Sequence, residues 1–228
     1  MDDIRSDVMS VLEFSGVHKA YGDDIVLQDV NFVLCAGESV ALLGESGCGK
    51  STILHLAGLL DDVSAGEIRC CSHAISDLTA AERALFRNER IGFVYQYHHL
   101  LSEFSVLENV MLPLLINGKS KKFAKEVARL LLHEVMLDDR IDHMPHQLSG
   151  GQRQRVAIAR GIVNMPRLLL ADEPSGNLDE RNAAAIVELL ITLVQQHNIT
   201  LLLATHSLNV ASLMSKRMLV QERRVILL

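Results

Sequence analysis

The stretch Gly44-Glu45-Ser46-Gly47-Cys48-Gly49-Lys50-Ser51-Thr52 fits G-x-x-x-x-G-K-[ST], the phosphate-binding loop. Glycines at 44, 47 and 49 let the backbone fold tightly and turn its N–H groups inward. Those N–H groups, with the positive end of a following helix, hold phosphate oxygens. Lys50 adds a point charge for the β- and γ-phosphates, and the Ser51 hydroxyl is placed to bind Mg²⁺. A carboxylate pair follows later, in Leu170-Ala171-Asp172-Glu173. After a phosphate loop, Asp172 would orient Mg²⁺ and Glu173 would poise the attacking water as general base. That is the chemistry of a nucleoside triphosphatase that hydrolyses rather than only binds.

A second phosphate-binding helix start reads in Leu148-Ser149-Gly150-Gly151-Gln152. Ser149 and Gln152 have capping-box spacing. The two glycines let a phosphate approach the backbone at a helix N-terminus. The same glycines also suit a purely structural helix start. Two such starts, about a hundred residues apart, cannot easily share one triphosphate within one subunit. The economical answer is a head-to-tail dimer. Each site then combines the loop at 44–52 of one chain with Ser149-Gly150-Gly151-Gln152 of the other.

The elements that must position these residues are legible around them. Ser39-Val40-Ala41-Leu42-Leu43 runs into the loop as a buried strand, and Ile53 to Gly58 runs out as a helix. Leu168 to Ala171 and Thr200 to Ala204 are continuous apolar runs, as expected for parallel strands buried on both faces. Val11–Ala20, Ile25–Leu34 and Ile68–Ala74 predict a small antiparallel sheet beside the site. A polar helix is expected from Thr79 to Arg87, and a strand at Ile91–Tyr95 ending at Gln96. Ser105-Val106-Leu107-Glu108 is a capping box; its helix should bend or break at Pro113. Phe123, Val127, Leu130 and Leu131 mark one apolar helix face, expected to be core. A long helix is expected from Asn177 to Gln196.

Composition narrows the classes. The chain has 228 residues, 49% hydrophobic and 22% charged, a globular composition. No run reaches the ~18 apolar residues that span a bilayer. The acidic start, Met1 to Asp7, is not a signal peptide, which predicts a cytoplasmic chain held at a membrane only by other proteins. Net charge −6 argues against a nucleic-acid partner. Cys35, Cys48, Cys70 and Cys71 form no C-x-x-C pair and read as structural thiols. His73 and His98-His99 are not at metal-ligand spacing.

In order, these features are the phosphate loop, Gln96, Leu148–Gln152, Asp172-Glu173, Ser175-Gly176-Asn177-Leu178-Asp179 and Thr205-His206. That order resembles the nucleotide-binding subunits of ATP-binding cassette (ABC) transporters over essentially the whole chain. The resemblance implies an α/β fold: a P-loop (RecA-like) core with an antiparallel β subdomain and an inserted helical subdomain. It implies one domain, with core at 1–96 and 161–228 and helical insert at 97–160. It implies ATP and Mg²⁺ as ligands and a homodimer of ATPase subunits. By the same resemblance Tyr21 stacks on adenine, and Gln96 senses Mg²⁺ and water and links the site to a membrane partner. Asp179 lies in a loop crossing the dimer interface, and His206 contacts the γ-phosphate and holds Glu173. Ser207 departs from the Asp that many relatives carry there.

A finer likeness lies in Ile91-Gly92-Phe93-Val94-Tyr95-Gln96-Tyr97-His98-His99-Leu100-Leu101 and in Ser105 to Ile116. Both are similar to the ATPases of lipoprotein-releasing complexes. That likeness implies integral membrane partners of LolC/LolE type and a place on the cytoplasmic face of an inner membrane. Sister families of MacB-type efflux and FtsE-type division ATPases share the ATPase motifs.

Overall fold

The computed structural model describes residues 9–228; the acidic start at Met1–Asp7 lies outside them. Two sheets lie side by side. The first has the order β2-β1-β4-β5, all antiparallel. Its strands are β1 (Ser10–Tyr21), β2 (Asp24–Cys35), β4 (Ala65–Cys70) and β5 (His73–Ala74). The second has the order β10-β9-β3-β8-β7-β6. It contains β3 (Ser39–Leu43), β6 (Ile91–Tyr95), β7 (Leu168–Asp172), β8 (Thr200–Ala204), β9 (Lys216–Gln221) and β10 (Arg224–Leu227). All of its strands but β10 are parallel.

The apolar runs divide by parity because successive strand residues face opposite sides. Val40, Leu42, Leu168, Leu170, Leu202 and Ala204 pack toward β1, β2 and helix α1 (Lys50–Ala57). Ala41, Leu43, Leu169, Ala171, Leu201 and Leu203 pack toward the helices of the other face. Those are α3 (Val106–Ile116), α4 (Lys121–Glu134), α5 (Gly150–Ile162), α6 (Glu180–Gln196) and α7 (Leu208–Ser212). A central strand with both faces covered reads as uninterrupted hydrophobicity. Truncating one such leucine to alanine costs about 2–5 kcal/mol.

Five expectations need correction. The strand expected at 68–74 begins at Ala65 and is cut by a tight turn at Cys71 and Ser72, both with positive φ. Helix α2 (Ala80–Arg90) outruns the expected end at Arg87; Thr79 and Glu82 close a capping box at its start. Helix α3 is not interrupted at Pro113 but runs on to Ile116; Pro113 gives no N–H to the ladder, yet its carbonyl still accepts from the Asn117 N–H at 3.1 Å. Helix α6 begins only at Glu180, with Asp179 as its cap, so Asn177 is left in the preceding loop. The buried face of α4 is Ala124, Ala128, Leu131 and Leu132; Phe123 and Leu130 are exposed. Small alanines let α4 approach its neighbours closely, which turns the larger pair outward. Strands β9 and β10 were not foreseen.

Candidate active site

The loop at 44–49 joins the C-terminal end of β3 to α1. Gly44 cannot be replaced without displacement, since a Cβ there would lie 2.5 Å from the Cys48 sulfur and 2.8 Å from the Val220 carbonyl oxygen. Gly49 is the N-cap of α1 at φ 107°, a left-handed conformation, and no side chain caps the helix. The first N–H groups of α1 therefore point at the loop without a side-chain acceptor. Lys50 is buried, and its ammonium donates to the carbonyls of Gly44 and Glu45, each at 2.8 Å. A charge held among carbonyls at a helix start is suited to an anion.

Strand order brings the acids to this loop. β8 lies between β3 and β7, so the end of β7 opens beside α1. The Ser51 hydroxyl donates to Asp172 Oδ2 at 2.9 Å. This pairs a neutral and an anionic oxygen, the hard donor set that Mg²⁺ prefers. Glu173 is the next residue and adopts φ +45°, a strained conformation for a residue other than glycine. Its N–H donates to the Ala204 carbonyl and its carbonyl accepts from Gly176, both at 3.0 Å. Its carboxylate meets His206 Nδ1 at 2.8 Å through Oε1 and accepts from the Thr205 hydroxyl at 3.3 Å through Oε2. The Glu173 side chain is 18% exposed and that of His206 is 74% exposed. The carboxylate is thus fixed from one side while the imidazole reaches outward.

A cleft of about 520 Å³ unites Ser46, Gly47, Gly49, Lys50, Ser51 and Thr52 with Gln96, Asp172, Glu173 and His206. Such a volume suits a small-molecule ligand. Gln96 is held in reciprocal contact with Asn177: Gln96 Nε2 donates to Asn177 Oδ1 at 3.0 Å, and Asn177 Nδ2 donates to the Gln96 carbonyl at 3.2 Å. Val26, from β2, also lines the cleft.

The remaining predicted residues lie outside that cleft. Tyr21 is half exposed; its hydroxyl donates to Asp61 Oδ2 at 2.5 Å, and the Lys19 ammonium sits 4.6 Å from its ring centre. Donation to Asp61 is the main reason its phenol titrates above the usual range. Ser149, Gly150, Gly151 and Gln152 open α5, where the capping box is complete. The Gln152 N–H donates to Ser149 Oγ at 3.3 Å, and the Ser149 N–H to Gln152 Oε1 at 2.9 Å. Gly150 lies against Leu178, and Gly151 faces Asn182. Asp179 accepts from the Asn182 N–H at 3.1 Å and side-chain amide at 2.6 Å, which holds its carboxyl below the ordinary range.

Sequence reasoning missed what holds the segment after Gln96. Arg153 Nε donates to His98 Nε2 at 2.8 Å. Arg160 donates to the carbonyls of His99 and His98 at 2.8 and 2.7 Å. Accepting at Nε2 makes His98 a neutral imidazole; burial first, then Arg153, push its pKa below the ordinary value. Tyr97 and Leu101 stay exposed. Asn109, fully buried, fastens the rest of the loop: it accepts from the Leu101 N–H at 2.9 Å and donates to the carbonyls of Leu101, Phe104 and Ser105. The seven-residue spacing of Arg153 and Arg160 on one helix was the available signal.

A phosphate loop facing an Asp-Glu pair across parallel strands marks a P-loop nucleoside triphosphatase. Its family follows from comparison: the chain belongs to the ABC transporter family, whose profile matches residues 27–176. It is an ABC ATPase cassette, an ATP-binding and ATP-hydrolysing fold. Among solved structures it is similar to the bacterial ABC transporter cassette MJ0796 in a dimeric form. That match has 36% identity over 94% of this chain and 96% of that one, with a TM-score of 0.85. MJ0796 in a dimeric post-hydrolysis state bound to ADP and phosphate matches at 35% identity with the same coverage and TM-score. CbiO1 from Clostridium perfringens, part of the transporter complex cbiONQ, matches at 28% identity over 95% of this chain and 87% of that one, with a TM-score of 0.87. Among the described residues no helix is long and apolar enough to cross a membrane.

Proposed function

We propose that this chain is the ATPase subunit of an inner-membrane complex of LolCDE type, which releases lipoproteins for transfer to the outer membrane. Two copies sandwich two ATP molecules head to tail and work through integral membrane subunits of LolC/LolE type at the cytoplasmic face. Residues 97–160 act as the helical subdomain between the ATP site and those subunits. The observation that carries the reading is the Tyr97–Leu101 segment. It resembles the corresponding stretch of lipoprotein-releasing ATPases, and it lies between Gln96 and the two arginines of α5 that hold it. The dimeric form of MJ0796 supports a dimer of ATPase subunits.

Within each site the loop N–H groups and Lys50 hold the triphosphate. Ser51, Asp172 and Gln96 would hold Mg²⁺, which neutralises phosphate charge when bound. Glu173 takes the proton of the attacking water. His206 orients that carboxylate through Nδ1 and keeps its other nitrogen for the γ-phosphate. Tyr21 offers a ring face to adenine. Ser149, Gly150, Gly151 and Gln152 of the second copy, with Asp179 at the interface, close over the nucleotide. Glu173→Gln should bind ATP yet trap a closed dimer, with turnover down at least ~10²-fold; wild-type turnover by that variant would sink the assignment of the base. The functional test is release of lipoprotein from vesicles holding the chain and its membrane partners. Release should need both ATP and Lys50. Co-purification with an efflux or division partner instead would replace this reading with a MacB- or FtsE-type one.

A further inference from the structure

The corner where α3 turns into α4 is basic, against a net charge of −6 for the whole chain. Lys121, Lys125 and Arg129 repeat every four residues and form one exposed stripe. Lys122 and Lys119 flank it and are also exposed. Against these five cations, residues 119–133 contain one carboxylate, Glu126. None of the five enters an ion pair among the described residues. Further round the exposed side of α4, past Lys122 and Glu126, Phe123 and Leu130, seven residues apart, are 46% and 66% exposed. Ile116, at the end of α3, is 67% exposed.

Loose lysines alone would be an ordinary solvated face. Two large apolar side chains turned outward on the same exposed side, about 100° round the helix from Lys122 and Arg129, are not, because Ala124, Ala128, Leu131 and Leu132 fill the core contacts of α4. Clustered Lys and Arg with adjacent apolar side chains is the pattern that meets an anionic lipid surface: cations at the headgroups, apolar groups at the acyl boundary. Position adds to the pattern. Ile116 and Pro113 also line a cavity of about 340 Å³ with Tyr95 and Arg160, beside the segment that follows Gln96. A membrane protein seated on that segment brings this corner close to its own bilayer.

We propose that the α3–α4 corner contacts anionic phospholipid headgroups directly, so that the ATPase has its own grip on the membrane besides the one its partners supply. The positional argument rests on the proposed seating beside a membrane protein; the charge argument does not. Co-sedimentation of the purified full chain with protein-free vesicles therefore tests it independently of any lipoprotein assay. At low salt, binding to vesicles of phosphatidylglycerol and phosphatidylcholine should exceed binding to phosphatidylcholine alone by about tenfold. It should vanish near 1 M salt, where screening acts within ~3 Å. The quadruple variant Lys121→Glu, Lys122→Glu, Lys125→Glu, Arg129→Glu should bind both vesicles alike while keeping ATP turnover within about twofold, since none of these residues lines the ATP cleft. Phe123→Ser with Leu130→Ser should weaken anionic binding severalfold. Equal binding of the wild-type chain to both vesicles, or wild-type binding by the quadruple variant, overturns the proposal. If vesicles fail to recruit the chain but the quadruple variant no longer co-purifies with its membrane partners, the corner meets an acidic protein surface instead, and the lipid proposal falls. Vesicle binding without lipoprotein release would leave this inference standing and remove only the transport assignment.

Discussion

The chain contains two glycine-flanked helix starts, and they are built differently. At α1 the cap is Gly49 in a left-handed conformation, with no side chain satisfying the helix N–H groups. At α5 the cap is Ser149, whose hydroxyl and partner Gln152 close a full capping box. The first start faces Lys50, Asp172, Glu173 and His206 across one cleft. The second lies outside that cleft, against Leu178 and against Asn182 in the first turn of α6. An uncapped helix start that shares a cleft with Lys50, two carboxylates and an imidazole has free N–H groups to offer an anion, as the proposed function requires. A capped one outside that cleft holds its own shape, and the proposed head-to-tail dimer would bring the triphosphate to it from a second copy.

The difference can be broken by mutation. Lys50→Ala removes a charge-assisted donor, worth about 1.5–3 kcal/mol. It should weaken ATP binding by the isolated monomer roughly a hundredfold, as read by titration with a fluorescent nucleotide. Ser149→Ala should leave that monomer binding unchanged. It should cost about 1 kcal/mol of stability through the lost cap, seen in denaturant unfolding, and lower turnover of the assembled dimer by about tenfold. If Ser149→Ala weakened monomer binding as Lys50→Ala does, the two starts would serve one site within one chain. The smallest effect concerns pH. His98 binds its proton less readily in the fold than in the unfolded chain. The unfolded state therefore takes up more protons below pH ~6.5, and stability falls as the pH drops through that value toward the folded pKa. Acidification should loosen the Arg153–His98 contact first, detectable as exchange broadening of the His98 ring signals; Arg153→Ala should raise the His98 pKa.

Much of this was visible in the linear chain because it depends on local chemistry. The phosphate loop needs its glycines in order. The capping boxes at Ser105 and Ser149 need residues only three apart, and both formed as spaced. The buried strands declared themselves because both faces are covered. What the sequence hid depends on distant partners. Nothing near Gln96 announces Asn177, which lies 81 residues away. Nothing near Tyr21 announces Asp61, 40 residues on. The face of α4 was misjudged for a related reason: apolar size favoured Phe123 and Leu130, whereas close helix approach selected Ala124 and Ala128. Strands β9 and β10 are short and each begins with charge, so their apolar runs are too brief to register.

The strand order has a consequence for synthesis. β3, which carries the phosphate loop, is flanked by β8 and β9, both made near the end of the chain. At elongation rates of about 5–20 residues per second, the loop is made roughly 8–35 s before its neighbours exist. Until they arrive β3 is an unpaired apolar strand, a segment for chaperones to guard. Asp172, Glu173 and His206, which share the loop's cleft, are also made late, so the cleft is incomplete throughout that interval.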